Sequence, residues 1–333
     1  MHVLITGAAG FLGGRLTKYL AERPAYRVTA TSRRDHRAAE FAAAGARFVA
    51  FDADDPIFYE RLCMGQEAVV HCAALSSPWG RYADFYDANV RLTERLLAAS
   101  RRAGVQRFIN ISSPTVYNDY GHIRNARETD PLPPPVNHYS ATKQLAERAV
   151  SAAHGPEFST LSLRPRAIIG AEDTVIFPRL MRAYDAERLR VVGNGRNLVD
   201  FTAVHNLCSA IERALNAPPR AYGRAYNITN GKPESLWDII NELLRRLGRP
   251  PVEKRLPYWL ADAAARWFEL RARLGSGAEP TLTRYGVSVL ARDATFNIDA
   301  AREHLGYAPP QTTADALAEF VAWYRDTEQA VAV

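Results

Sequence analysis

No apolar run in this chain approaches the ~20 residues of a membrane-spanning helix, so a membrane-spanning protein is not expected. Cysteine is scarce. Cys63, Cys72 and Cys208 stand far apart, are odd in number and show no metal-ligand spacing. That pattern fits a reducing compartment, hence a cytoplasmic location, and offers no metal site. There is no solenoid repeat, no basic tail and no basic stripe interleaved with aromatics. The net charge of +6 comes from dispersed Lys and Arg, with only short pairs such as Arg33-Arg34, Arg101-Arg102 and Arg245-Arg246. This reads as a solvated arginine-rich surface, so nucleic acid is not an expected partner. A signal peptide fits poorly, because Gly7 to Gly14 breaks the first apolar segment. The 333 residues, 47% of them hydrophobic, suffice for one large or two smaller domains with a sizeable core.

The rest of the chain is organised around its first fourteen residues. Val3-Leu4-Ile5 reads as a buried strand, glycines follow at 7, 10 and 13, and Phe11, Leu12, Leu16, Tyr19 and Leu20 then recur at helical spacing. Strand, glycine turn and helix in that order aim backbone N–H groups and a positive helix end at one point, which suits a pyrophosphate. The first glycine makes the tight turn, the second admits the diphosphate, and the third lets helix pack on strand. The spacing is G-x-x-G-x-x-G rather than the commoner G-x-G-x-x-G.

Strand-like and helix-like patterns then alternate. Strands are expected at Val28–Thr31, Arg47–Phe51, Ala68–Cys72, Phe108–Ile111 and Thr160–Leu163, with helices near Tyr82–Ala103 and His138–Ala153. Such alternation implies an α/β fold: a doubly wound parallel sheet of Rossmann type with helices on both faces. Pro131 to Pro135 reads as a stiff connector, either a surface loop or one wall of a substrate cleft. After Gly170 the pattern becomes irregular. The expected division is a dinucleotide-binding domain over 1–169, with elements near 197–228 (Val204 to Leu215, Ala225 to Ile228) returning to it, and a smaller, mainly substrate-binding lobe over 170–333. Tyr258 to Leu274 is rich in aromatics. It reads either as a core-facing or cleft-lining helix or as one that touches lipid or a long acyl chain.

Tyr139 and Lys143 stand four apart on a predicted helix, one turn apart on one face. A nearby ammonium favours the phenolate and is expected to lower the tyrosine pKa, which makes the pair an apt general acid/base. Ser112 and Ser113 directly follow a strand, where the carboxyl ends of a parallel sheet line the ligand crevice. A hydroxyl there is placed to polarise a carbonyl, or simply to cap the following turn.

Together, Thr6-Gly-Ala-Ala-Gly-Phe-Leu-Gly13, Ser113 and Tyr139-Ser-Ala-Thr-Lys143 resemble, in order and spacing, the extended short-chain dehydrogenase/reductase family. Phe51-Asp52-Ala53-Asp54, His71-Cys-Ala-Ala74, Asn89 and Leu163-Arg-Pro-Arg-Ala-Ile-Ile-Gly170 resemble its further segments, so the likeness covers nearly the whole chain. It implies catalysis by Ser113, Tyr139 and Lys143; the family's Ser/Thr-x-x-x-Tyr motif, counted back from Tyr117, selects Ser113 over Ser112. It also implies a dinucleotide held by Gly7, Gly10, Phe11, Leu12, Gly13, Ser32, Arg33, Arg34, Asp52, Ala53, Cys72, Ala73, Ala74, Tyr139, Lys143, Pro165 and Ile168. Arg33 and Arg34 stand where enzymes that use NAD carry an acid for the ribose 2′-hydroxyl. NADP(H) is therefore the expected cofactor, with NAD(H) as the alternative through Asp35.

Within the family, dehydratases carry an Asp-Glu pair where this chain has Pro114-Thr115. Epimerases grip the sugar-nucleotide diphosphate with an Arg where this chain has Val199, although Arg196 is close, and the contrary reading has Arg196 or Arg179 hold the diphosphate from another angle. Ala74 to Gly80, Ile111 to Tyr117 and Asn197 to Asp200 look more like the branch of 3β-hydroxysteroid dehydrogenases, sterol-4-carboxylate 3-dehydrogenases and 2-alkyl-3-ketoalkanoate reductases. The expectation is an oxidoreductase interconverting a secondary alcohol and a ketone on a bulky apolar small molecule. A nucleotide-sugar epimerase and a non-enzymatic dinucleotide-binding regulator are the alternatives. The resemblance also implies a homodimer through the helices near 82–103 and 138–154, with Leu92, Leu96, Leu97, Leu145 and Ala149 as candidates for the docking faces, although the inner faces of these helices must also cover the sheet.

Overall fold

The computed structural model describes residues 1–52, 55, 57–275 and 278–331. Its central sheet has seven parallel strands: β1 (His2–Thr6), β2 (Arg27–Ser32), β3 (Arg47–Ala50), β4 (Ala68–His71), β5 (Arg107–Ile111), β6 (Ser159–Pro165) and β7 (Ala225–Ile228). They lie in the order β7-β6-β5-β4-β1-β2-β3. The chain winds one way from β1 to β3 and the other way from β4 onward. The crevice therefore opens at the carboxyl ends of β1 and β4, where Thr6 is level with Thr31 and His71.

The sheet is parallel because both faces are covered. Alternate residues of β1 go to opposite sides, as a period of two demands. Val3 and Ile5 join α1 (Phe11–Ala21) through Leu16 and Leu20, while Leu4 joins Val69 and Phe108 beneath α2 (Leu92–Arg102) and α3 (His138–Ala152). On the first face α4 (Val204–Leu215) adds Leu207 and Ile211. Complete burial of each such aliphatic side chain stabilises by ~1.5–3 kcal/mol.

The helical run over 82–102 contains a π-turn at Asp87–Arg91, which the apolar pattern does not reveal. Asn89 occupies it. Its Oδ1 accepts from the Leu75 N–H (2.7 Å), and its Nδ2 donates to the Leu75 carbonyl (3.2 Å) and Thr142 Oγ1 (3.0 Å), tying this helix to α3 and to the loop after β4. Leu96 and Leu97 are buried against the sheet, and Leu92 and Ala149 pack on the same cluster. Those four are spent on the core rather than on an outer docking face, because β4 and β5 need that cover; Leu145 is partly exposed.

Beyond the main sheet, Glu234–Ser235, Leu198–Val199, Ala294–Phe296 and Ile123–Ala126 form a second sheet in that order. It draws one strand from the first half of the chain. Val199, Phe201, Trp237 and Phe296 fill the core beside it. The prolyl connector is anchored to α3, since Gln144 Nε2 donates to the Pro133 carbonyl (3.0 Å). Further along, α5 (Tyr258–Leu274) packs through Ala261 and Ala265 near Val287 of α6 (Arg284–Ala291).

Candidate active site

The glycine turn is dictated by close approach. Gly7 has φ +70°, and a Cβ there would lie 2.7 Å from both N and Cα of Ala73. A Cβ on Gly13 would lie 2.3 Å from the Gly7 carbonyl oxygen. The Gly10 N–H donates to that same oxygen (2.9 Å), and Gly10 caps α1, which opens with Phe11 and Leu12. No side chain stands at the helix N-cap to compete with a ligand anion. A cradle that added methyl groups would fill is what a dinucleotide pyrophosphate requires.

Around it, the hydroxyl of Ser32 donates to the Arg34 carbonyl (2.8 Å) and accepts from the Arg34 N–H (3.1 Å), a turn that leaves Arg33 and Arg34 exposed. Asp52 follows β3 and is exposed, and Ala53 lies outside the described residues. Cys72, Ala73 and Ala74 follow β4, with the Ala73 N–H donating to Thr6 Oγ1 (3.4 Å). Burial pushes the Cys72 thiol pKa well up, so it stays protonated. Thr6 Oγ1 also meets His71 Nδ1 at 2.7 Å, and His71 Nε2 meets Thr93 Oγ1 at 3.1 Å. Burial, helped by the Lys143 charge, pushes this imidazole down to about 3, so it is neutral. Pro165 ends β6, and Ile168 pairs with Thr202. Because Ile111 and Leu163 are level, this segment leaves the sheet beside the one that carries Ser113.

Ser113, Tyr139 and Lys143 come together at the end of β5. Asn137 and Ser140 form a capping box that starts α3, which sets Tyr139 in its first turn. The Ser113 hydroxyl caps the turn Pro114–Tyr117, accepting from the Thr115 N–H (3.2 Å), and also hydrogen-bonds the Tyr139 phenol. The capping reading of this serine is thus realised. Lys143, one turn deeper, is buried and donates from Nζ to the Ile111 carbonyl (2.8 Å). Its ammonium lies 6.0 Å from the Tyr139 ring centroid. Burial lowers the Lys143 pKa to about 8, against the opposing influence of Glu147 and Cys72.

The expected lowering of the tyrosine pKa is not what the structure gives. Burial pushes the phenol up, and the hydrogen bonds from Ser113 and Ser76 only partly offset this. Removing a phenolate from water here outweighs what the neighbouring hydroxyls return.

Three hydroxyls absent from the sequence-based site belong to it. Ser76, on the loop after β4, hydrogen-bonds the phenol. Thr115 Oγ1 lies 2.8 Å from Ser113 Oγ, and the Tyr285 hydroxyl on α6 lies 3.3 Å from Thr115. Tyr117 and Arg164 are structural partners of the site. Arg164 pairs with buried Glu147 through two bonds (2.9 and 2.6 Å) and hydrogen-bonds the Tyr117 hydroxyl, which donates to Asn227 (3.0 Å).

A glycine cradle at the head of a doubly wound sheet, with Tyr and Lys one turn apart beside a serine, defines a dinucleotide-dependent enzyme class. Residues 3–229 match the NAD dependent epimerase/dehydratase family, and the chain belongs to it. The chain is 34% identical to the 2-alkyl-3-oxoalkanoate reductase of Stenotrophomonas maltophilia, over 95% of this chain and 97% of that protein. It is 35% identical to the 4-hydroxy-2-methyl-3-oxo-4-farnesyl-3,4-dihydroquinoline-1-oxide ketoreductase of Stigmatella aurantiaca, over 92% of each. UDP-glucuronic acid 4-epimerase from Bacillus cereus, in complex with NAD, shares the fold: TM-score 0.77 and 22% identity, across 98% of this chain and 99% of that one.

Proposed function

We propose that this protein is an NAD(P)-dependent oxidoreductase that interconverts a secondary alcohol and a ketone on a bulky apolar substrate of the 2-alkyl-3-ketoacid or 3β-hydroxysteroid kind. The observation that carries the reading is the meeting of Ser113 and Tyr139 above buried Lys143 at the edge of the glycine cradle. When bound, the nicotinamide dinucleotide supplies or accepts the hydride at the carbinol carbon. In reduction, Tyr139 gives its proton to the carbonyl oxygen, a role suited to a phenol that burial keeps protonated. Ser113 hydrogen-bonds that oxygen and orients it. Lys143 holds a positive charge beneath the phenol, fixed by the Ile111 carbonyl, and is assigned to the nicotinamide ribose.

Two named ketone reductases among the relatives support the substrate class. So does the surrounding structure. Val199, which stands where an epimerase carries its diphosphate-gripping Arg, is buried in the second core, and Arg179 is paired with Glu279. Arg196 is exposed on its turn and keeps the nucleotide-sugar reading as the second one. Exposed Arg33 and Arg34 favour a 2′-phosphate, so NADP(H) is proposed over NAD(H). A cytoplasmic location and a homodimer, with Leu145 on the contact, complete the proposal. A screen of 3-ketosteroids, 2-alkyl-3-ketoacids and nucleotide sugars tests it. Turnover of an apolar ketone with NADPH is expected. Micromolar binding of UDP or dTDP sugars without turnover of any apolar ketone overturns it, and tighter binding of NADH than NADPH overturns the cofactor choice.

A further inference from the structure

The largest unexplained feature of the surface is on α5. Among the described residues ten large apolar side chains are exposed, and five of them are in this one helix: Trp259, Leu260, Trp267, Leu270 and Leu274. Trp259 is 71% exposed, Trp267 63% and Leu274 81%. At 3.6 residues per turn these five, with exposed Ala263 between them, fall within an arc of about 100°. The other five exposed apolar residues are scattered over the chain, which is ordinary for a protein surface.

The arc has basic rims. Arg266 and Arg273 lie along one border and Arg271 along the other, all exposed. The acids of the helix, Asp262 and Glu269, fall outside the apolar arc, next to the Arg266–Arg273 border. Asp262 is bonded to Arg266 and Arg284, and Glu269 accepts from the Arg284 backbone N–H. The inner side is made of small residues, Ala261 and Ala265, seated among Val192 and Val287. An exposed band of Trp and Leu between arginines, on a helix held to the protein by its opposite face, is the pattern of a helix that lies in a membrane interface.

We propose that α5 docks this protein, in the plane of the bilayer, onto a membrane surface that contains anionic phospholipids. Charge decides against a second copy as the occupant: a symmetric pairing of two such faces brings arginine rims together, whereas anionic headgroups neutralise them. The docked face leads to the active site. The Arg273 guanidinium lies 5.9 Å over the Trp79 ring, and Trp79 shares with Ser76 the loop that touches the Tyr139 phenol. On the inner side of α5, α6 carries Tyr285 to Thr115. Docking thus sets the mouth of the cleft at the lipid boundary, where an apolar substrate concentrates. That last consequence rests on the proposed substrate class; the docking does not.

The test is co-sedimentation of the full chain with vesicles of phosphatidylcholine alone and of phosphatidylcholine with phosphatidylglycerol, without substrate. The double variant Trp267→Glu/Leu270→Glu is compared after circular dichroism has shown an unchanged melt. Binding to the anionic vesicles is expected, weaker by about tenfold or more on neutral vesicles or for the double variant. Absence of the wild-type chain from the anionic pellet overturns the proposal, as does equal binding by the variant. A mass by light scattering that halves in the variant also overturns it and assigns the face to a second copy. Since no turnover is measured, failure here leaves the oxidoreductase reading untouched.

Discussion

The glycine turn and α5 are opposite solutions to placing a surface. At Gly7 and Gly13 backbone meets backbone so closely that a single methyl has no room. On the outer side of α5, two tryptophans and three leucines meet water. The first is a surface made by contact, where nothing can be added. The second is a surface made by lack of contact, where the fold should lose little if the side chains change. Substitutions should therefore behave in opposite ways in the two regions, and between them stands Tyr139, where the fold should tolerate a change that turnover should not.

The largest effect is expected at that middle position. Tyr139→Phe should lower turnover by roughly 10²-fold or more, the range for loss of a general acid/base. Cofactor affinity should hardly change. Turnover near wild type removes Tyr139 from the mechanism. Next comes Gly13→Ala. Its Cβ would meet the Gly7 carbonyl at 2.3 Å, and neither helix nor turn can give way without losing the cradle. A loss of ~3 kcal/mol in urea unfolding is expected, together with weaker dinucleotide binding in a fluorescence titration. An unchanged midpoint and affinity would show that the turn is not as rigid as its contacts imply.

The inner and outer faces of α5 sharpen the contrast within one helix. Ala265→Leu adds volume where there is no exposure and should cost ~1–2 kcal/mol. The pH dependence is subtler. Lys143, lowered to about 8, carries its ammonium below that pH and loses it above, while the phenol, raised by burial, stays protonated. The kcat/KM for ketone reduction should hold up to about pH 8 and fall beyond it. A plateau that extends unbroken past pH 9, ~1 unit above, would mean that the ammonium is not needed. The smallest effect belongs to Trp267→Glu/Leu270→Glu, which should leave unfolding free energy within ~0.5 kcal/mol of wild type. A larger loss would mean that the outer arc packs against something in the folded chain.

Much was legible in the sequence, and for a physical reason: the features read correctly are local. The G-x-x-G-x-x-G turn, the alternation of strand and helix, and the four-residue step from Tyr139 to Lys143 depend on backbone geometry and on periods of 2 and 3.6 residues. The tertiary structure decided what depends on residues distant in the chain. Ser76 reaches the Tyr139 phenol from one distant segment, and Tyr285 reaches Thr115, two residues after Ser113, from another, and no spacing rule connects Ser76 and Tyr285 to the pair. The second sheet is built from strands of two to four residues at 123, 198, 234 and 294, too short to show a period. Leu96 and Leu97 suit an outer face equally well until β4 and β5 are seen to need them. The direction of the Tyr139 pKa follows the same logic. The spacing to Lys143 points down, but the free energy of a phenolate sums over every neighbour and over the water displaced, and only the folded chain supplies that sum.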